Sequence, residues 1–460
     1  MSGAQVIGGG LAGCEAAWQM AERGISVDLF EMRPGKQTPA HKTGCLAELV
    51  CSNSLKSDSP TTASGILKRE LRCLDSLILR IAEETAVPAG SALAVDRQRF
   101  ADRVTEVISG HHLIRVVREE VRELPRGVPL VVASGPLTSK VFSQSMQGLL
   151  GESNLYFYDA IAPLIAASSL DYHKIFLGSR YQKGDPAYLN CPMDKSEYLT
   201  FHDGLLSAQT VPMRSFEEKL FFEPCLPVEE LARRGPRTLA FGPMKAVGLT
   251  DPRTGRRPYA IVQLRQDNTE ATVYNMVGFQ TRLRRGEQRR VFRLIPGLQQ
   301  AEFLRYGSVH RNTFVCGPRI LQPTMQTRED ERVFLAGQIT GGEGYVESVS
   351  TGLLAGLNLT RVIRGQEPVV PPRTTAVGSL CRYLSQADGD HFQPMNVNFG
   401  LLPPLDDPPR KREQRNRAMA RRALRDLSDW IDREEMKKGA HHREDGQAIS
   451  HLTCLGEELL

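Results

Sequence analysis

The sequence predicts an α/β protein in which a parallel-sheet domain is interrupted by a mixed α/β insert. Three observations carry that reading. A glycine fingerprint sits inside a strand–helix–strand unit at the start of the 460-residue chain. The composition changes between about residues 155 and 330. A second strand–glycine–helix unit follows that change.

The fingerprint is Gly8, Gly10 and Gly13, spaced G-x-G-x-x-G, with Gly9, Leu11 and Ala12 between them. Ala4, Val6 and Ile7 precede it as a short strand. A helical run follows from Cys14 to Arg23, and a second strand, 25–30, ends at Glu31. The first glycine allows a tight turn, and the second lets a pyrophosphate approach the backbone. The third lets the helix pack on the strand. The helix N-terminus then faces the phosphates. Glu31 stands where a carboxylate takes ribose hydroxyls. The unit is therefore dinucleotide-binding and Rossmann-type.

Residues 65–86 read as a helix, as do 97–108. Residues 129–135 read as a buried parallel strand running into a glycine turn. Within the insert, 174–177, 238–241, 260–265 and 272–279 are β-type runs. The strand 333–337 then ends in the turn Gly341-Gly342-Glu343-Gly344. A helix from Glu347 to Ile363 follows, carrying small residues that permit close approach. Residues 366–376 are a proline-rich connector. Residues 418–431 place Ala420, Ala423, Leu424, Leu427, Trp430 and Ile431 on one helical face. The expected division is 1–180 for the first part of the cofactor domain and 181–330 for the insert. Residues 331–435 form its second part with a basic helix, and 436–460 a disordered tail.

Composition narrows the function. No run of about 18 apolar residues offers a membrane span. The fingerprint lies so near Met1 that no targeting peptide is expected, which points to the cytoplasm. Nine cysteines at irregular spacings suggest neither a zinc site nor a disulfide framework, so no metal is expected. Residues 282–293 carry six arginines against one acid, and 410–425 eight basic residues against Glu413 alone. Such runs are solvated faces or phosphate-binding surfaces.

One fingerprint at the start and one strand–glycine–helix near the end suit a long FAD spanning the domain, as in glutathione-reductase-like folds. Gly337 lies in the second unit. A second fingerprint for NAD(P)H is missing from the sequence. Two cysteines have unusual settings. Cys51 lies in a polar segment just past the fingerprint unit, and Cys225 lies between Pro224 and Pro227 in the insert. A thiolate can attack an electrophilic carbon such as uracil C6.

Longer stretches go further. They include 6–18, Glu31-Met-Arg-Pro34, Thr38-Pro-Ala-His41, 47–54, 92–97 and Phe241-Gly-Pro-Met-Lys245. Others are Gln263-Leu-Arg-Gln-Asp-Asn268, Gly344-Tyr-Val-Glu-Ser348 and Phe392-Gln-Pro-Met-Asn396. In these the chain resembles the TrmFO family of folate- and FAD-dependent tRNA uracil-5-methyltransferases, nearly end to end. The resemblance implies formation of 5-methyluridine at the T-loop of tRNA. The carbon comes from 5,10-methylenetetrahydrofolate and the electrons from NAD(P)H through FAD. Cys225 matches the covalent nucleophile and Cys51 the second functional cysteine. Tyr345 matches a tyrosine beside folate and flavin. Arg33 and Gln338 join the expected cofactor contacts, and Arg410, Lys411, Arg421 and Arg422 the expected RNA contacts.

Three positions depart from the family pattern. Pro224 stands where glycine is usual, Arg285 where tryptophan is common, and Gly342 where a β-branched residue is common. The alternatives are the same chemistry on ribosomal RNA and an NAD(P)H-dependent flavin oxidoreductase for a small molecule. A third is a flavin-bearing RNA-binding protein without turnover.

Overall fold

A computed structural model describes residues 3–150, 155–182, 186–211 and 226–434. Cys225, Pro224 and the tail 436–460 lie outside the described residues. The first sheet has five parallel strands. Their order is Val333–Leu335, Leu130–Val132, Ala4–Ile7, Val27–Phe30 and Ile114–Val117. The two strand–glycine units of the sequence therefore meet in one sheet, with only Leu130–Val132 between them. The helix Tyr345–Ile363 packs on the first helix, Leu11–Ala21. A Cβ on Gly352 would meet Ala12 O at 2.3 Å, and one on Gly356 would meet Ala16 O at 2.5 Å. The small residues of this helix thus serve helix–helix contact.

The second sheet has six antiparallel-paired strands. Their order is Phe176–Leu177, Tyr188–Met193, Ala260–Gln266, Val273–Met276, Leu164–Ala166 and Phe303–Arg305. It has its own apolar core, around Phe201, Val262, Phe279 and Phe292. An antiparallel ribbon, Leu155–Ile161 with Ser308–Phe314, carries the chain out and back. The seam expected at 181 is therefore displaced. Leu164–Ala166 and Phe176–Leu177 precede it yet pair in the second sheet. Phe314 to Met325, placed in the insert by a limit at 330, belong to the first core.

Three other expectations change. The run 65–86 is two helices, Ala63–Cys73 and Leu77–Glu84. Asp75, at φ 57°, turns the chain between them, and Ser76 caps the second. Buried Glu15 adds acceptors for Ile78 N at 3.0 Å and Ser76 Oγ at 2.8 Å. Thr238–Phe241 is one helical turn rather than a strand, closed by Gly242 N–H to Thr238 O at 2.8 Å. The basic helix begins earlier, at Arg412, and runs to Arg433. Its apolar face, Ala420, Ala423, Leu424, Leu427 and Trp430, is buried in the first core. No helix among the described residues is long and apolar enough to cross a membrane.

Candidate functional site

The fingerprint glycines perform three separate tasks. Gly8 sits at φ +108°, and a Cβ there would meet Ala133 O at 2.4 Å. A Cβ on Gly13 would meet Gly8 O at 1.8 Å, so only glycine lets the helix seat on the strand. A Cβ on Gly10 meets nothing within 4 Å among the described residues, and Gly10 lines a cleft. Gly10 is also the N-cap of Leu11–Ala21, and among the described residues no side chain caps that helix end. Backbone N–H groups thus remain for an anion. These residues fit a dinucleotide pyrophosphate.

Glu31 lies in the same cleft, 6 % exposed. It accepts from Gly9 N at 3.1 Å and from Arg33 N and Nε at 2.9 Å each. Burial pushes its carboxyl up, but the Arg33 hydrogen bonds and charge more than offset this and hold it below the ordinary carboxylate range. Arg33 is buried and also donates to Glu48 Oε2 at 3.1 Å. Its visible task is to brace Glu31. His41 lines the cleft too; burial, then the Arg33 charge, push its imidazole down to about 4.

Gly337, at φ +80°, turns the far strand toward the cleft, and its N–H donates to Thr351 Oγ1 at 2.8 Å. Gln338 follows, held by Glu343 Oε2 at 2.5 Å. Gln338 and Tyr345 line this cleft and a second one of about 320 Å³. The second cleft also presents Cys51, Ser52, Arg265 and Asn275.

Cys51 is half-buried, and its segment is tied down on every side. Tyr345 Oη accepts from Cys51 N at 2.9 Å and from Ser52 N at 3.3 Å. Arg97 donates to Leu49 O, and Arg305 Nη2 donates to Val50 O at 2.8 Å. Arg265 donates to Ser52 Oγ at 2.7 Å and Asn53 Oδ1 at 2.9 Å. Burial pushes the Arg265 and Arg305 guanidiniums below their ordinary range; acidic neighbours oppose that shift, first Tyr188 and Asp267 at Arg265 and Tyr345 at Arg305, with Cys51 contributing at both. The attraction is mutual, so these arginines draw negative charge to this end of the cleft. Sequence reasoning did not single them out: they lie within resembling stretches or strands that gave no sign of converging on Cys51. Three other cysteines, Cys14, Cys191 and Cys381, are fully buried. Burial pushes the Cys191 and Cys381 thiols up to about 12, and the Cys14 thiol higher still.

The basic runs separate. In 282–293, Arg282 pairs with Glu230, Arg290 with Glu287, and Arg289 with Tyr306 Oη. Arg285 stacks over the Tyr306 ring at 5.8 Å, which gives the position a local use. In the C-terminal run Arg410, Lys411 and Arg421 are exposed. Arg422 is not presented as expected: its guanidinium donates to the carbonyls of Pro403 and Pro404. A Cβ on Gly342 would find only ordinary contacts, at 3.5 Å from Leu384 and Thr340, so nothing in the turn requires glycine there.

A family model described as glucose inhibited division protein A matches residues 4–367. Methylenetetrahydrofolate–tRNA-(uracil-5-)-methyltransferase TrmFO of Geobacter sulfurreducens is 57% identical over 433 residues, 94% of this chain and 99% of its own length. The protein of the same name from Moorella thermoacetica is 57% identical over 419 residues, 91% of this chain and 96% of its own. Among solved structures, Aquifex aeolicus GidA in its form II crystal is similar at TM-score 0.68 and 15% identity. That match covers 95% of this chain and 74% of that one, and it speaks to the fold alone.

Proposed function

The chain belongs to the TrmFO family, and we propose that it makes 5-methyluridine in tRNA, at the T-loop. The one-carbon unit comes from 5,10-methylenetetrahydrofolate, and NAD(P)H is the reductant, visiting without a Rossmann domain of its own. The setting is the cytoplasm. One observation carries the reading: Tyr345 lines both clefts and accepts the Cys51 and Ser52 N–H groups, so the dinucleotide cleft and the cysteine share a wall.

Gly8 to Gly13, Glu31 braced by Arg33, Gly337 and Gln338 hold FAD. When bound, FAD supplies the hydride that completes the methyl group. Cys225 forms a bond to uracil C6, which makes C5 nucleophilic toward the one-carbon unit. Cys51 then removes the C5 proton as general base, held in place by Tyr345 and the three arginines. A loop uridine must leave its stack to reach them. Arg410, Lys411 and Arg421 take RNA phosphates.

The purified protein, given methylenetetrahydrofolate, NAD(P)H and unmodified tRNA or ribosomal RNA, tests this by mapping of methylated uridines. One T-loop position in tRNA is expected. Methylation confined to ribosomal RNA, or none in either, overturns the reading.

A further inference from the structure

Arg265 lies on Ala260–Gln266, and Asn275 is its cross-strand partner on Val273–Met276. Directly opposed residues of antiparallel strands project from the same face. Both line the second cleft, and both are buried, at 7% and 3% exposure.

Each carries an unmet requirement. The Arg265 guanidinium is fixed by Ser52 Oγ and Asn53 Oδ1. Among the described residues it has no carboxylate within salt-bridge distance. The nearby Asp267 is bound in a fork by Arg97, at 3.0 and 3.1 Å. The Asn275 Nδ2 is fully buried and has no hydrogen-bond partner among the described residues. A buried donor left unsatisfied destabilises the site, and a buried cation without a paired carboxylate does so more. Asn275 lines the cleft, and a carboxamide turns easily about its last torsion. Two such groups side by side on a cleft wall describe a receptor for an oxygen that is, or becomes, negative.

We propose that Arg265 and Asn275 together bind the C4 carbonyl oxygen of the target uracil and stabilise the enolate formed when a thiolate adds at C6. This rests on the function proposed above. In that step the sulfur–C6 bond forms from the thiolate electron pair. The C5=C6 π pair shifts to C4–C5, and the C4=O π pair moves onto O4. No proton or oxidant is needed, and the negative charge passes from sulfur to O4. Preorganised donors at that oxygen favour the addition more than they favour binding. The position follows from the ring. C4 is bonded to C5, the carbon facing Cys51, and Arg265 is tied to the residues that follow Cys51. The other ring neighbour of C5, C6, faces the attacking thiolate, so the proposal assigns C4 and its oxygen to the Arg265 side.

The test follows adduct formation between the full-length FAD-loaded enzyme and tRNA carrying 5-fluorouridine, with methylenetetrahydrofolate and NAD(P)H present. Asn275→Leu is expected to slow the adduct about 100-fold. Asn275→Asp, which keeps the size but sets an anion against the enolate, should slow it at least as much. Arg265→Lys should lose less than Arg265→Gln. FAD content and the change in flavin absorbance on adding tetrahydrofolate should remain as in the wild type. RNA with 4-thiouridine at the target supplies a readout that general damage would not move. The wild type should discriminate against the weakly accepting sulfur, and Asn275→Leu should not. Wild-type adduct rates in both Asn275 variants overturn the inference alone. So does loss of the tetrahydrofolate response with an intact adduct rate, which would assign the pair to the pterin. A wild type that makes no 5-methyluridine overturns the proposed function as well.

Discussion

The dinucleotide cleft and the second cleft share Gln338 and Tyr345 but are built from opposite materials. The first is shaped by backbone: Gly8, Gly10 and Gly13, an uncapped helix end, and charges closed among Glu31, Arg33 and Glu48. The second is shaped by side chains from distant segments, Cys51, Arg265, Asn275 and Tyr345. Among the described residues it keeps a cation without a carboxylate at salt-bridge distance and a donor without an acceptor. The first cleft pairs its side-chain charges with one another and leaves only backbone N–H groups for a ligand, whereas the second leaves side-chain donors for one. Such a division suits a resident cofactor beside a substrate that must be bound, altered and released.

The largest effect that could break this comparison concerns Gly13. Its Cβ would overlap Gly8 O, whereas that of Gly10 would enter open cleft. Gly13→Val should therefore fail to give stable protein. Gly10→Val should fold with a near-normal melting temperature but carry no flavin. Full flavin absorbance in Gly10→Val would remove the first cleft as the cofactor site.

Next comes the cysteine of the second cleft. Cys51→Ala should lose about 10²–10⁴-fold in methylation, as expected for a general base, and keep its FAD. It should still form an adduct with 5-fluorouridine RNA, whereas Cys225→Ala should form none. Wild-type turnover in Cys51→Ala would make the segment a structural brace.

The third effect is one of pH. His41 in the first cleft is held at about 4, down from an ordinary value of 6.5. The unfolded chain thus takes up this proton first as pH falls. The stabilisation present above 6.5 declines through that window and is lost as pH passes 4. Melting temperatures of the wild type should fall more steeply over this range than those of His41→Gln. Parallel slopes would show that the cleft does not impose neutrality on His41.

The smallest effect lies outside both clefts. Arg421→Glu should weaken tRNA binding several-fold and flatten its salt dependence, with flavin reduction by NAD(P)H unchanged. Unaltered affinity would leave the exposed side of helix Arg412–Arg433 a solvated face.

The same contrast governs what the sequence reveals. The glycine fingerprint is legible because its parts lie within six residues and each spacing has one steric meaning. The second parallel-sheet unit is legible from strand, turn and small residues together. Arg97, Arg265 and Arg305 reach the Cys51 segment from three remote elements, and no local pattern announces that convergence. Asn275 is an ordinary residue of a β-type run until the sheet register sets it opposite Arg265. Glu15 and Glu70 are fully buried within helices and cap the starts of others, at Ile78 and at Ala376 and Val377. Periodicity alone assigns such charges to solvent. Thr238–Phe241 has strand-forming residue types, but a single turn closed by Gly242 outweighs that preference.

The central claim, that the two clefts serve one reaction, is tested most directly by the origin of the methyl carbon. Unmodified tRNA is supplied with the purified enzyme, NAD(P)H and 5,10-methylenetetrahydrofolate labelled in its methylene carbon. A parallel reaction carries labelled S-adenosylmethionine instead. The account predicts label from the folate in the methyl group of 5-methyluridine and none from S-adenosylmethionine. Label that enters only from S-adenosylmethionine would contradict it.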